Sequence, residues 1–251
     1  MDQVERQKNS DNAPKQAYFF DLLMRARDGN SYWKINRLED FKEAIRLFLD
    51  NNSFHEYNAE KLINLNMPIT KICSKNNPSR VKNISDDNFS GLMNYIYLAI
   101  NSRITLTSNL WTSKGLVNGA SGYVKDIIYE ENNNLPHTIF IEFENYTGPT
   151  FFRCDDPRHK WIPISPSSIY NQNFGGTRTQ FPLRLAYAST IHKSQGQTLD
   201  KVVIDLGTTE KSLGLTFVAL SRVRNYKDFL IVPFTRDRLE KISKSTQLEP
   251  R

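Results

Sequence analysis

Two short apolar runs in the last third of the chain bracket a turn made almost wholly of polar residues. The first covers 183–188 and is interrupted by Arg184; the second is Val202-Val203-Ile204. Between them stand Ser189, Thr190, His192, Lys193, Ser194, Gln195 and Gly196. An unbroken β-branched run suits a strand covered on both faces, and such strands belong to parallel sheets. The stretch therefore predicts a buried strand at 183–187, a polar turn opening a helix near 189, and a buried strand at 201–205. The turn crowds hydroxyls, an imidazole, an amine and an amide around one glycine. Donors at that density suit phosphate oxygens. The same residues fit a capped helix start equally well, with Ser189 or Thr190 as N-cap.

The alternation continues downstream, with a helix expected at 212–223, a strand at 228–232 and a helix at 236–244 capped by Thr235. Upstream, 46–49 is apolar enough for a strand, although Phe41, Ile45 and Phe48 also fit a helix face. Ser53-Phe-His-Glu56 forms a capping box that predicts a helix carrying Tyr57, Leu62, Ile63 and Leu65. Another helix is expected at 17–27, burying Tyr18, Phe19, Leu22, Leu23 and Ala26 and stopped by Gly29-Asn30. Residues 69–74 suggest a strand and 76–90 a loop.

The middle of the chain has a different character. Short β-rich runs at 103–107, 122–129, 138–143 and 160–164 are separated by turns containing Gly, Asn and Pro. That spacing predicts a small antiparallel barrel or sandwich over about 100–170. The expected organisation is thus an α/β parallel-sheet domain in two pieces, 17–99 and 178–245, interrupted by a β insert at 100–177. Polar tails lie at 1–16 and 246–251.

Charge is unevenly placed along the 251 residues. Lys+Arg and Asp+Glu balance at 20 each over residues 1–177, whereas 178–251 hold 13 against 7. The whole excess of +6 therefore lies in the segment with the polar turn, which favours a polyanionic partner. No apolar run approaches the length of a membrane span, so no membrane partner is expected. Cys73 and Cys154 have no paired spacing, and the four histidines fit no metal-ligand pattern. A reducing compartment and no metal site follow from that reading.

Three stretches carry a resemblance. Thr190-Ile-His-Lys-Ser-Gln-Gly196 resembles motif V of superfamily-one helicases, in the form used by the RecD-like and Pif-like (petite integration frequency) branch. Phe217-Val-Ala-Leu-Ser-Arg-Val-Arg224 resembles motif VI. The segment from Asn109 to Gly122, with Gly115, Asn118 and Gly119 between, resembles the signature turn of Pif-like proteins. All three occur in the family's order, and the resemblance covers 18–251.

The resemblance implies a RecA-like second motor domain with a Src-homology-three-like barrel inserted, and a 5′-to-3′ DNA helicase using ATP and Mg2+ in repair, recombination and telomere maintenance. Arg222 would reach the γ-phosphate as the catalytic arginine, with Gln195 and Gly196 also facing ATP. Thr190, His192, Lys193 and Ser194 would face single-stranded or forked DNA, joined by Asn58 from the motif IV region. Trp111 and Tyr123 could stack on bases, although aromatics of this kind more often belong to the core or rim of a barrel. The implied setting is intracellular, nuclear or mitochondrial.

No Gly-x-x-x-x-Gly-Lys-[Ser/Thr] occurs in the 251 residues, and no strand ends in a Walker B-like acidic pair. The expectation is therefore a C-terminal motor half, inactive alone, that needs an N-terminal helicase half in cis or trans. A non-catalytic single-strand-binding module, or the relic of a mobile element, is the alternative.

Overall fold

The computed structural model describes residues 39–131, 134–196, 199–205, 219, 222–223 and 228–232. The helices expected at 17–27 and 236–244, both tails, and most of the helix expected at 212–223 lie outside them. The described elements are, in order, β1 (Ile45–Phe48), α1 (Asn51–Ile63), β2 (Thr70–Cys73), β3 (Lys75–Asn77), β4 (Tyr95–Leu98), β5 (Arg103–Leu106), β6 (Ser121–Ile128), β7 (Thr138–Phe143) and β8 (Trp161–Ile164). There follow β9 (Ser167–Asn171), β10 (Gly176–Gln180), β11 (Leu183–Leu185), β12 (Ala188–Thr190), β13 (Val202–Asp205) and β14 (Phe229–Val232). They divide between two compact units, Met1–Leu49 with Thr190–Arg251, and Asp50–Ser189.

The discontinuous unit is built on a parallel sheet. β13 lies between β1 and β14 and pairs parallel with both, so that Leu47, Ile204 and Ile231 fall in one register. Val202, Val203 and Ile204 are all buried, as the unbroken β-branched run requires of a central strand. Leu47, Ile191, Val202, Ile204, Ala219 and Phe229 form its core. At Thr190 the chain enters this unit, and the Ile191 N–H donates to the Phe48 carbonyl at 2.9 Å.

The continuous unit is mostly antiparallel. Its main sheet runs β11-β5-β6-β7-β8. Ile104, Leu106, Val124, Ile139, Ile141 and Leu183 alternate inward from it and are all but fully buried. A two-stranded ribbon, β2-β4, adds Ile72 and Leu98 to the same core.

The first apolar run departs from expectation. Residues 183–187 form no parallel strand; β11 pairs antiparallel with β5, Leu183 opposite Leu106. The run is divided because Ala186 and Tyr187 leave the ladder. The Ala186 N–H donates to the Arg103 carbonyl at 3.0 Å, and the Arg103 N–H donates to the Tyr187 hydroxyl at 3.0 Å. The α1 helix also begins earlier than the capping box implies. Asp50 is the N-cap, its carboxylate accepting from the Ser53 N–H at 2.8 Å, so Ser53 lies inside the first turn. A carboxylate at that position satisfies an otherwise unpaired amide and complements the helix dipole. The loop expected at 76–90 instead contains part of β3 and two 3-10 turns, Ser79–Asn83 and Asp86–Phe89.

These turns wrap one side chain. Arg178 of β10 is fully buried. Its Nε donates to Asn76 Oδ1 at 3.1 Å, and its Nη1 to Asp86 Oδ1 at 2.6 Å and the Leu92 carbonyl at 2.9 Å. Its Nη2 donates to the Val81 and Ile84 carbonyls at 3.0 and 2.8 Å. The guanidinium also lies 4.4 Å from the centre of the Phe89 ring. Burial pulls its pKa down, and Asp86 opposes that shift.

Candidate nucleotide and nucleic-acid site

The polar turn and the second helicase-like stretch meet within the discontinuous unit. Arg222, 28 residues beyond Ser194, is buried and donates from Nη1 to the Ser194 carbonyl at 3.3 Å. Its backbone joins the same loop, since its carbonyl accepts from the Leu199 N–H at 2.8 Å and its N–H donates to the Ala219 carbonyl at 3.2 Å. Burial lowers the guanidinium's pKa.

No helix opens at 189. Residues 188–190 are the strand β12, and 191–196 form successive turns. Two hydroxyls expected to face a nucleic acid are turned inward instead. Thr190 is buried and its Oγ1 accepts from the Lys193 N–H at 3.4 Å. Ser194 is fully buried, its Oγ donating to the Ile191 carbonyl at 2.8 Å while its N–H donates to the Thr190 carbonyl at 3.1 Å. Local side-chain bonds of this kind compete with helix formation and fix a turn. His192, Lys193, Gln195 and Gly196 form its exposed part. Gly196 has φ +83°, and among the described residues no atom beyond its chain neighbours lies within 4 Å of where a Cβ would stand.

Asn58 is also placed by the fold. It lies on α1 between Phe54 and Leu62 on one buried face. Its Nδ2 donates to the Phe54 and Ala188 carbonyls at 2.9 and 3.3 Å, and its Oδ1 accepts from the Tyr187 and Ala188 N–H groups, both at 3.2 Å. Both ends of the buried amide thus hold backbone. Asn58→Ala is expected to lower stability by about 1–3 kcal/mol, because the Tyr187–Ala188 groups are left without partners. Urea unfolding measures the loss, and an unchanged midpoint would show that water replaces the amide at no cost.

The signature turn is held by its own residues. Asn109 Oδ1 accepts from the Asn118 N–H at 2.7 Å, and the Gly119 N–H donates to the Leu106 carbonyl at 2.9 Å. Gly115 has φ +88°, and a Cβ there would stand 2.4 Å from the Asn145 carbonyl oxygen, so only glycine fits without a shift. At Gly122 a Cβ would stand 2.6 Å from the Glu142 carbonyl oxygen. Trp111 is exposed, and Tyr123 is half-buried opposite Arg103. No pattern around Arg178 marks it as interior. A polar residue at the centre of a Phe54-Asn58-Leu62 stripe was a readable sign for Asn58.

No protein-family model matches the chain. A Pif1 helicase crystal structure from Candida albicans superposes with a TM-score of 0.61 over 88% of this chain and 54% of that one, at 23% identity. The chain therefore shares its fold with about half of that structure. In sequence, the chain is 31% identical over 213 residues to the ATP-dependent DNA helicase Pif1 of Campylobacter jejuni, covering 77% of this chain and 42% of the relative. A further structure, described as DNA unwinding at forked dsDNA by two coordinating Pif1 helicases, matches with a TM-score of 0.52 at 26% identity over 78% of this chain and 41% of that one. The chain belongs to the Pif1-like helicases and spans about two fifths of the length of that Campylobacter relative.

Proposed function

We propose that these residues are the nucleotide-closing, strand-gripping part of an ATP-dependent DNA helicase that unwinds DNA 5′ to 3′. The relatives' names supply ATP and DNA, and one structure's description supplies forked DNA. The observation that carries the reading is the meeting of Arg222 with the 190–196 turn. In this reading Gln195 and Gly196 face the nucleotide, where the glycine's lack of a side chain admits close approach of a phosphate. Arg222 stabilises charge that develops on the γ-phosphoryl group, for which a planar, permanently charged fork is suited. ATP supplies the transferable phosphoryl group. The Mg2+ ligands and the phosphate-cradling loop belong to a helicase half in cis or trans, since the 251 residues hold no Walker A sequence.

His192 and Lys193, two of the turn's exposed side chains, contact single-stranded DNA in this reading, while Thr190 and Ser194 set the turn's shape. Phosphate contacts of that kind grip without reading sequence. The β11-β5-β6-β7-β8 sheet corresponds to the Src-homology-three-like insert. A non-catalytic binding module would share the strand contacts and lack the nucleotide role of Arg222.

Binding of oligothymidylate is the direct test. Affinity is expected to fall steeply with salt, and Lys193→Ala to flatten the log–log slope by roughly 0.7 for one lost phosphate contact. An unchanged slope would remove Lys193 from the interface.

A further inference from the structure

On the ribbon β2-β4, inward and outward residues alternate. Ile72, Ile96 and Leu98 point into the core, and Lys71, Cys73, Tyr95 and Tyr97 point out. Exposed positions of an antiparallel strand normally carry polar residues, yet here two tyrosines stand two residues apart, exposed by 51% and 42%. Their ring centres are 5.6 Å apart at an interplanar angle of 69°. Lys71 Nζ lies 4.8 Å from the centre of the Tyr95 ring and 5.7 Å from that of Tyr97. Beside them an open cleft of about 450 Å³ is lined by Lys71, Cys73, Asn76, Lys82, Asn94 and Tyr95 among others, and none of the described lining residues is acidic.

We propose that this face is a second binding site for single-stranded nucleic acid, gripping bases by stacking on Tyr95 and Tyr97 and phosphates through Lys71 and Lys82. The polymer class rests on the helicase reading above; the site does not involve the 190–196 turn. Aromatic platforms flanked by cations are how sequence-tolerant single-strand binders work. Residues two apart on a strand are separated by about 7 Å, so each ring can receive its own unstacked base. In the free protein the Lys71 ammonium covers the rings; an incoming base takes its place, and the flexible stem lets the charge move to the neighbouring phosphate. An acidic peptide would satisfy the lysines and leave both ring faces unused.

The two exposed thiols allow a footprint on the whole chain, because Cys73 lines the cleft and Cys154 does not. Alkylation by iodoacetamide is followed at both with and without saturating oligothymidylate. Bound strand is expected to slow Cys73 roughly fivefold or more and leave Cys154 unchanged; Tyr95→Ala with Tyr97→Ala abolishes the protection, and the paired Tyr→Phe substitutions keep it. Saturated binding that responds to Lys193→Ala without protecting Cys73 overturns this site and leaves the helicase reading standing. Protection of Cys73 alongside a Lys193→Ala variant that binds normally supports the site and counts against the turn. Equal slowing at both cysteines, or equal protection by polyglutamate, overturns it. Failure of the chain to bind any oligonucleotide overturns both readings.

Discussion

In a motor that joins this chain to a phosphate-loop-bearing half, Arg222→Lys is expected to lower ATP turnover on the order of 10³-fold or more while nucleotide and DNA affinities stay nearly constant. Lysine keeps the charge and loses the planar two-point fork that follows charge as it develops on the phosphoryl oxygens. Arg222 is also buried against the Ser194 carbonyl, so the variant's thermal midpoint must be measured alongside its rate. A midpoint close to the parent's with a collapsed rate assigns the side chain to the reaction. A lost midpoint with proportionate loss of every activity makes it a structural tie. Arg224, which lies outside the described residues, is the comparison; equal effects at 222 and 224 would show that motif VI has been misassigned. The 251 residues alone are expected to release no phosphate with single-stranded DNA and magnesium, and turnover of about one per second would reveal a nucleotide site with other residues.

The second large effect is on stability. Arg178→Ala is expected to destabilise the continuous unit by about 3 kcal/mol or more, because each buried carbonyl left without its donor costs roughly 1–3 kcal/mol. Three main-chain carbonyls, those of Val81, Ile84 and Leu92, would lose their donor, and Asp86 its cation. Arg178→Lys should recover little, because three donors on one nitrogen cannot reach acceptors spread around a fork. Urea unfolding measures both. An alanine variant within about 0.5 kcal/mol of the parent, the range of ordinary surface changes, would show that solvent fills the site freely.

Arg178 also shows where the sequence misleads. Counted by position, it belongs to the basic segment 178–251 that points to a polyanion. In the structure neither Arg178 nor Arg222 adds to a basic surface, since both are buried. Formal charge along a chain carries no information on which guanidiniums the fold encloses. The strands β13 and β14 were legible because a continuous β-branched or aliphatic run fits few other places. The helix expected at 189 was not: Thr190 accepts from the Lys193 N–H as an N-cap would, yet only successive turns follow through 196. Asp50 rather than Ser53 caps α1, and both are competent residues at neighbouring positions, so propensity could not choose between them. Of the residues singled out at 190–196, Ser194 meets Arg222 through its carbonyl. The structure divides the turn's own side chains between interior and surface, a distinction the pattern does not contain.

Asn58 has a bearing on the order in which the chain can fold. β1 and β13 are sheet neighbours, yet more than 150 residues separate Phe48 from Val202. Joining them across a disordered loop of that length costs about 4 kcal/mol or more in chain entropy before any contact rewards it. Once Asp50–Ser189 has folded, Asn58 fastens α1 to Tyr187 and Ala188, and the span to be closed shrinks to a few tens of residues. The parallel sheet then condenses on ends already held near each other. On the ribosome, β1 is made before Asp50–Ser189 and before β13, so its apolar residues wait for more than 150 further residues before the parallel sheet can close. Variants that weaken the insert should therefore slow formation of the parallel sheet, although they touch none of its strands.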